Sequence, residues 1–246
     1  MTAQPAPAEF LPPKCRGCGV LKRGACAALN VDQLRVMDRW AVRRSISPAT
    51  NLFLEEDELT THLSITKGIV QLSKGLDDGR EQIVSLKYAP CHISAVTNPV
   101  ATVTARTVTE VEVCAVPARL LDHFVSQSPK LENHILRQAV LELEYARTWL
   151  LSLGRKNAIE RVASFILMVM SHAPDVESSH TGGRDIALPL SRSDMADFLG
   201  LTMETISRNI SELKRMNLIG AVNGRNIHVL DVRRLKRIAG FRNAPH

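Results

Sequence analysis

LPLSRSDMADFLGLTMETISRNISELKRMNLI, residues 188–219, carries the pattern that decides the fold. Ser191 followed three residues later by Asp194 is a capping-box arrangement, and Met195, Ala196 and Leu199 give the helix it opens an apolar stripe. Gly200-Leu201 predicts a tight turn, and Thr202 is the cap of a second helix. In that helix Ile206, Ile210 and Leu213 fall at helical spacing and predict a buried face. Glu204, Ser207 and Arg208, at i, i+3 and i+4, then stand on the opposite face within the first two turns. A recognition helix presents its N-terminal end to the major groove in this way. Arg208 can pair bidentately with guanine O6/N7, Glu204 can accept from cytosine N4, and Ser207 can do either nearby. Thr202 and Thr205, beside this set, are candidate DNA contacts with it, while Lys214 and Arg215 are better spaced for phosphates.

Immediately downstream, Leu218–Val222 and Asn226–Leu230 flank Asn223-Gly224, the dipeptide that suits a type I′ hairpin. That hairpin is the expected wing. The plainer alternative is that Glu204 and Arg208 form an intrahelical ion pair on a solvated face; helix, turn, helix and wing arriving in this order weigh against it. Charge agrees with a polyanionic partner. Of a formal net charge of +6, residues 191–246 carry +5, from ten Lys/Arg against five acids. Basic C-terminal modules of this kind suit double-stranded DNA, although solvated basic helices are common.

Working backwards, the signal is helical again. Ser128-Pro129 is a cap followed by proline at the first helical position. Leu136, Leu143 and Leu150 recur every seven residues, interleaved with Ala139, Ala146 and Leu153. This seam suits a helix packed on a second copy of itself, and packing within its own domain is the other reading that two to three heptads leave open. Gly154 is expected to close that helix. Asn157 with Glu160 opens another, ending near His172, and Pro174–Gly183 is a polar loop.

Residues 50–116 read as short strands with turn punctuation: Leu63–Thr66, Ile69–Ser73, a Gly75–Asp77–Asp78–Gly79 turn, Gln82–Lys87, then alternating runs through Val100–Val108 and Val111–Val116. Many short strands with Gly/Asp turns predict a compact β-barrel or roll. A short helix is expected from about Val31 to Ser45. Residues 1–30 are a Pro/Gly/Cys-rich arm without periodicity. Met1–Pro13 lacks a basic region followed by an apolar one, and no apolar run approaches the roughly 20 residues a bilayer span needs, so a cytoplasmic protein is expected.

There are five cysteines: Cys15, Cys18, Cys26, Cys91 and Cys114. An odd number without an export signal argues for metal or redox chemistry over a disulfide framework. Cys15, Cys18 and Cys26 lie within twelve residues of a polar arm and have no evident packing use. Zinc or an iron–sulfur cluster would each need a fourth ligand. Lys14, Arg16, Lys22 and Arg23 would offset thiolate charge.

The stretch 188–219 resembles the signature of the CRP/FNR transcription regulators, and its E-T-I-S-R core is similar to that of the FNR/FixK branch. The similarity runs back through LLSLGRKNAIERVASFIL, the seam helix and the strands, and so covers nearly the whole chain. The subgroup it is most similar to is the FnrL-type anaerobic regulators of α-proteobacteria. That resemblance implies an α+β architecture: an N-terminal arm (1–30), a cyclic-nucleotide-binding-like β-roll (31–127), a long dimerisation helix (128–154) and a C-terminal winged helix-turn-helix (155–246). It further implies that Glu204, Ser207 and Arg208 read a TTGAT-type half-site within an inverted repeat, that the protein is a homodimer working with RNA polymerase, and that Cys15, Cys18, Cys26 and Cys114 hold an oxygen-labile 4Fe–4S cluster.

Val111–Val116 agrees with Cys114 as the fourth position. Alternation along a strand sets Val111, Val113 and Ala115 on one face, and Glu112, Cys114 and Val116 on the other. Cys91 sits in YAPCHIS, where relatives usually carry a Gly-Asp and Phe-Leu-Gly stretch, and reads as an ordinary half-buried thiol. The function implied is an oxygen-responsive regulator, mainly an activator, of anaerobic genes. A regulator of the same fold controlled by zinc, a redox thiol or a small effector is the alternative. Residues 88–108 lack the Gly-Glu and Arg-Ser/Thr-Ala elements of a cyclic-nucleotide site. No nucleophile–base pair, Gly-rich phosphate loop or His/carboxylate metal motif supports an enzyme.

Overall fold

The computed structural model describes residues 10–93, 99–172, 183–221 and 225–240. The chain divides into two compact units, one made of residues 1–79 with 84–144, the other of 80–83 with 145–246.

The first unit begins with short helical turns, a 3-10 turn at Pro13–Cys15, α1 at Val20–Arg23 and a 3-10 turn at Ala25–Ala28. The expected formless polar arm is thus folded, because Val20, Ala25, Ala28 and Leu29 are apolar enough to be buried. Asn30 then caps α2 (Val31–Trp40), its side chain accepting from the Gln33 N–H while Gln33 answers the Asn30 N–H. The helix expected to reach Ser45 stops at Trp40. Val42–Ile46 becomes strand β1, since β-branched and extended residues there pair with a later strand, Arg43 facing Cys114.

The roll continues through β2 (Asn51–Phe53), β3 (Thr61–Lys67), β4 (Ile69–Gly75), β5 (Glu81–Tyr88), β6 (Cys91–Ile93), β7 (Thr104–Thr107) and β8 (Val111–Pro117). Two four-stranded sheets result, in the orders β1-β8-β3-β6 and β2-β7-β4-β5. Gly68, at φ +92°, makes the β3–β4 turn, where a Cβ would collide with the Glu110 carbonyl. The run expected over Val100–Val108 is a strand only at Thr104–Thr107, and Val100 makes a single bridge to Glu58. Between the sheets lie Ile65, Val70, Ile93, Ala105, Val111 and Val113. A second core gathers Leu34 and Met37 of α2 and Ala41 just past its end with Val116, Leu121, Phe124, Leu131 and the arm. Leu121 and Phe124 come from α3 (Ala118–Gln127).

The long helix α4 (Pro129–Arg155) starts at the expected proline but runs through Gly154, where a Cβ would meet nothing within 4 Å, to end at Arg155. In the second unit Asn157 and Glu160 form the expected capping box for α5 (Ala158–His172). Then come β9 (Arg184–Ala187), α6 (Arg192–Leu199), α7 (Met203–Arg215), β10 (Ile219–Ala221), β11 (Asn226–Val229) and α8 (Val232–Ile238). β10 and β11 form the wing, and β9, which carries no strong period of its own, adds a third strand beside β11. The Asn223-Gly224 turn lies outside the described residues, as does most of Pro174–Gly183. Helix-turn-helix, wing, roll and long helix together give the α+β architecture expected.

Candidate DNA-reading face and cysteine cradle

Both helices of the turn motif form for the local reasons their sequences give. Ser191 Oγ accepts from the Asp194 N–H at 3.0 Å, and Asp194 accepts in return from the Ser191 N–H at 3.1 Å. Gly200 leaves α6 in the left-handed conformation at φ +60°, which only glycine adopts without strain. Thr202 Oγ1 then accepts from the Thr205 N–H at 3.2 Å and starts α7. Ile206, Ile210 and Leu213 are buried, so Glu204, Ser207 and Arg208 are left exposed on the outer face.

Their settings differ. Ser207 Oγ donates to the Met203 carbonyl at 3.0 Å, which leaves its lone pairs outward. Glu204 is held below the usual carboxylate range first by its own backbone N–H, then by the Thr202 hydroxyl, with Arg208 a smaller influence. Thr205 is half-buried, bonded to Thr202 at 3.0 Å, and so serves the cap. Lys214 is exposed, whereas Arg215 is committed to Glu212 at 2.7 and 3.0 Å.

One residue that sequence reasoning missed holds this motif in place. Arg161 of α5 donates to the carbonyls of Lys156 (3.0 Å), Leu199 (3.0 Å), Gly200 (3.3 Å) and Leu153 (2.6 Å). It ties the turn after α6 to the loop between α4 and α5. No motif announces it, because its partners are all backbone.

The cysteines divide into two groups. Cys15, Cys18, Cys26 and Cys114 line one cavity of about 30 Å³, together with Lys14 and Arg43. That volume holds a water or two, so a larger guest must press the arm outward. Cys91 is elsewhere: it packs on the core between the sheets, whereas Cys15, Cys26 and Cys114 pack on the other. All five are free thiols. Burial, helped by Asp38 and neighbouring thiols, pushes Cys15 up to about 11, and burial with the other three cysteines pushes Cys26 to about 12. Burial raises Cys114 too, against the opposing pull of Arg43. Cys91 rises to about 12 by burial.

Of the cations expected around the thiols, Lys14 donates to the Asp38 and Ala41 carbonyls at 2.8 and 3.0 Å, and Arg16 to Leu11 at 3.1 Å. The side chains of Lys22 and Arg23 lie outside the described residues. Arg43 is the cation beside the sulfurs: it faces Cys114 across the β1–β8 pair, lines the cavity with Cys18 and donates to the Lys14 carbonyl. Sequence spacing could not show it, since only the β1–β8 register sets Arg43 opposite Cys114. Among the described residues no three His, Cys, Asp or Glu stand close enough to hold a single metal ion.

The seam residues Leu136, Leu143 and Leu150 are 60%, 49% and 68% exposed, and Ala139 and Ala146 are exposed with them. Among the described residues no helix is long and apolar enough to cross a membrane.

Residues 160–238 match the Crp-like helix-turn-helix domain. The chain is 37% identical to a "Probable transcriptional activator" of Rhizobium leguminosarum bv. viciae, over 92% of this chain and 93% of that protein. It is 31% identical to the nitrogen fixation regulation protein FixK of Bradyrhizobium diazoefficiens, over 92% and 93% respectively. It is 28% identical to the transcriptional activator protein FnrL of Cereibacter sphaeroides, over 92% of each. The solved structure of FixK2 from Bradyrhizobium japonicum matches at a TM-score of 0.73 and 27% identity, covering 80% of this chain and 96% of that one.

Proposed function

This chain belongs to the CRP/FNR family of DNA-binding transcription regulators, in its FNR/FixK branch, and is no enzyme; from that premise we propose that it is an oxygen-responsive activator. The observation that carries the reading is the convergence of Cys15, Cys18, Cys26 and Cys114 on one cavity, with Cys91 excluded from it. The donor set suits a 4Fe–4S cluster, which takes four cysteine thiolates. A zinc ion, the alternative, would take its sulfurs about 2.3 Å from one centre. A bound cluster would supply an oxygen-labile centre.

The chain's own residues do the rest. Arg43 and Lys14 offset thiolate charge. Cys114, on β8, links the arm to the sheet that feeds α3 and α4. The exposed seam Leu136, Ala139, Leu143, Ala146 and Leu150 pairs α4 with a second copy. Two α7 helices then engage half-sites about one turn of DNA apart, in an inverted repeat. Arg208, Glu204 and Ser207 read bases, Thr202 and Thr205 shape the entry of the helix, and Lys214 contacts phosphate. As an activator the dimer works through RNA polymerase.

The test is the visible absorption of anaerobically purified protein, with its iron and sulfide content. Cys15→Ser, Cys18→Ser, Cys26→Ser and Cys114→Ser should each be colourless and fail to bind DNA, while Cys91→Ser stays brown and active. A colourless wild type, or Cys91 and Cys114 exchanging behaviour, refutes the assignment.

A further inference from the structure

Four strands align one row of side chains. Across β1-β8-β3-β6 the register opposes Arg43 to Cys114, Cys114 to Ser64, and Ser64 to His92. Directly opposed residues in a sheet share a face, so this row runs from the cation beside the thiols, through Cys114, to a histidine. The face it forms is the one the arm covers. His92 ends the row under the arm, and there the Ala25 N–H, next to Cys26, donates to His92 Nε2. Its other nitrogen, Nδ1, lies 3.0 Å from Ser64 Oγ and 3.1 Å from His62 Nε2. With Nε2 accepting, Nδ1 carries the proton, and these two neighbours are its acceptors.

The approach is close enough to dictate the sequence opposite. A Cβ on Gly24 would run into the His92 ring and into Val20. The arm meets the same stretch a second time, where a Cβ on Gly19 would sit 3.6 Å from Pro90. Within YAPCHIS it is His92 that brings an imidazole to the arm.

We propose that His92 is a latch for the cysteine arm: its Nε2, presented by β6 and oriented by Ser64 and His62, fixes the Gly24–Ala25 turn and thereby sets where the Cys26 thiol stands. It is a positioning residue, and glycine at 24 is its obligatory counterpart. The inference deepens the reading of the four cysteines as one set and rests on it. Burial keeps His92 neutral, its pKa lowered to about 4, so Nε2 remains an acceptor throughout the physiological range.

The test uses the full-length chain, reduced and chelator-treated, pulse-labelled with a maleimide and digested for mass spectrometry. Removing the acceptor in His92→Leu should label Cys26 about tenfold faster, the scale of one lost hydrogen bond, and Gly24→Ala should do the same from the other side of the contact. His92→Gln, which restores an acceptor at similar reach, should return the rate to within about threefold of wild type. Equal labelling of wild type and His92→Leu overturns the latch, and so does His92→Gln labelling as fast as His92→Leu, since only ring volume would then matter. Should His92→Leu not fold, His92→Met, which matches His92→Gln in reach but lacks its amide acceptor, takes its place in the comparison. Anaerobic iron loading of the same proteins is scored separately. A wild type that takes up no iron but shows the labelling pattern keeps the latch and loses the cluster.

Discussion

At the scale of single residues, the reading face proposed for α7 sets groups expected to touch bases apart from groups expected to touch phosphate. Arg208 is exposed and follows Ile206 and precedes Ile210, both buried, so its direction is set by packing on either side. Arg208→Ala should remove about 1–3 kcal/mol of base discrimination while leaving the fold intact. Lys214→Ala should weaken every sequence alike and lower the slope of log affinity against log salt by about one unit per subunit. Gel-shift titrations against an FNR-type inverted repeat and a scrambled duplex, over a range of salt, separate the two outcomes. Unchanged preference in Arg208→Ala would assign base reading to another surface. Arg215 gives a built-in contrast. Its bidentate pairing with Glu212 has to be broken before it can reach a phosphate, so Arg215→Ala should change the salt slope less than Lys214→Ala does.

At the scale of elements, Arg161 shows how the turn motif is kept in register. One guanidinium serves four carbonyls, two of them, Leu199 and Gly200, at the end of α6. Its removal leaves carbonyls at a helix end without their charged donor. Arg161→Ala should therefore cost about 2 kcal/mol, which for a unit of about 100 residues lowers Tm by roughly 10 °C. Arg161→Lys should recover little of this, because an ammonium lacks the forked donors. Calorimetry on the three proteins checks it, and a Tm within about 2 °C of wild type for Arg161→Ala would show the clamp to be dispensable. The contrast with α6 and α7 explains what the sequence could say. Those helices carry their caps, turn glycine and apolar period within thirty residues, so local chemistry writes them out. β1 carries no clear period, and α2 was overrun by five residues because nothing between Trp40 and Ser45 breaks a helix; only pairing with β8 converts that stretch to strand. The arm's buried residues, Val20, Ala25, Ala28 and Leu29, follow no repeat, so its packing leaves no periodic signal in the sequence. Cys114 was readable as the partner of the arm's cysteines through a resemblance and a strand alternation. Arg43 and His92 were not, since they reach the same row from positions 71 and 22 residues away along the chain, and register between strands has no signature in spacing.

At the scale of the whole molecule, the single chain leaves one surface that a lone regulator has no reason to keep. Leu136, Leu143 and Leu150 lie a heptad apart on α4, largely exposed, with the small residues Ala139 and Ala146 between them. Val140, 50% exposed, widens the stripe. Leu and Ala alternating along such a seam let two helices approach closely while each large side chain fills the space beside a small one. Exposed apolar stripes of this length on a 27-residue helix are costly in water unless covered. The inverted repeat proposed as the target would supply the symmetry that a covering second copy matches. Leu143, at the centre, is the decisive position. It is about half exposed in the single chain, so a substitution there does not open the core of either unit. Glutamate is a good helix former, so α4 itself should persist. In the paired state, however, the new carboxylate would face its own copy in an apolar seam, between Glu142 and Glu144 on each chain. Leu143→Glu should consequently be folded by circular dichroism, sediment as a monomer, and lose affinity for a full inverted repeat far more than for an isolated half-site. Leu141→Glu is the control, since Leu141 is 62% exposed but lies off the heptad line, and it should remain dimeric. Sedimentation showing Leu143→Glu as an unchanged dimer, or both variants equally monomeric, would remove this seam as the interface.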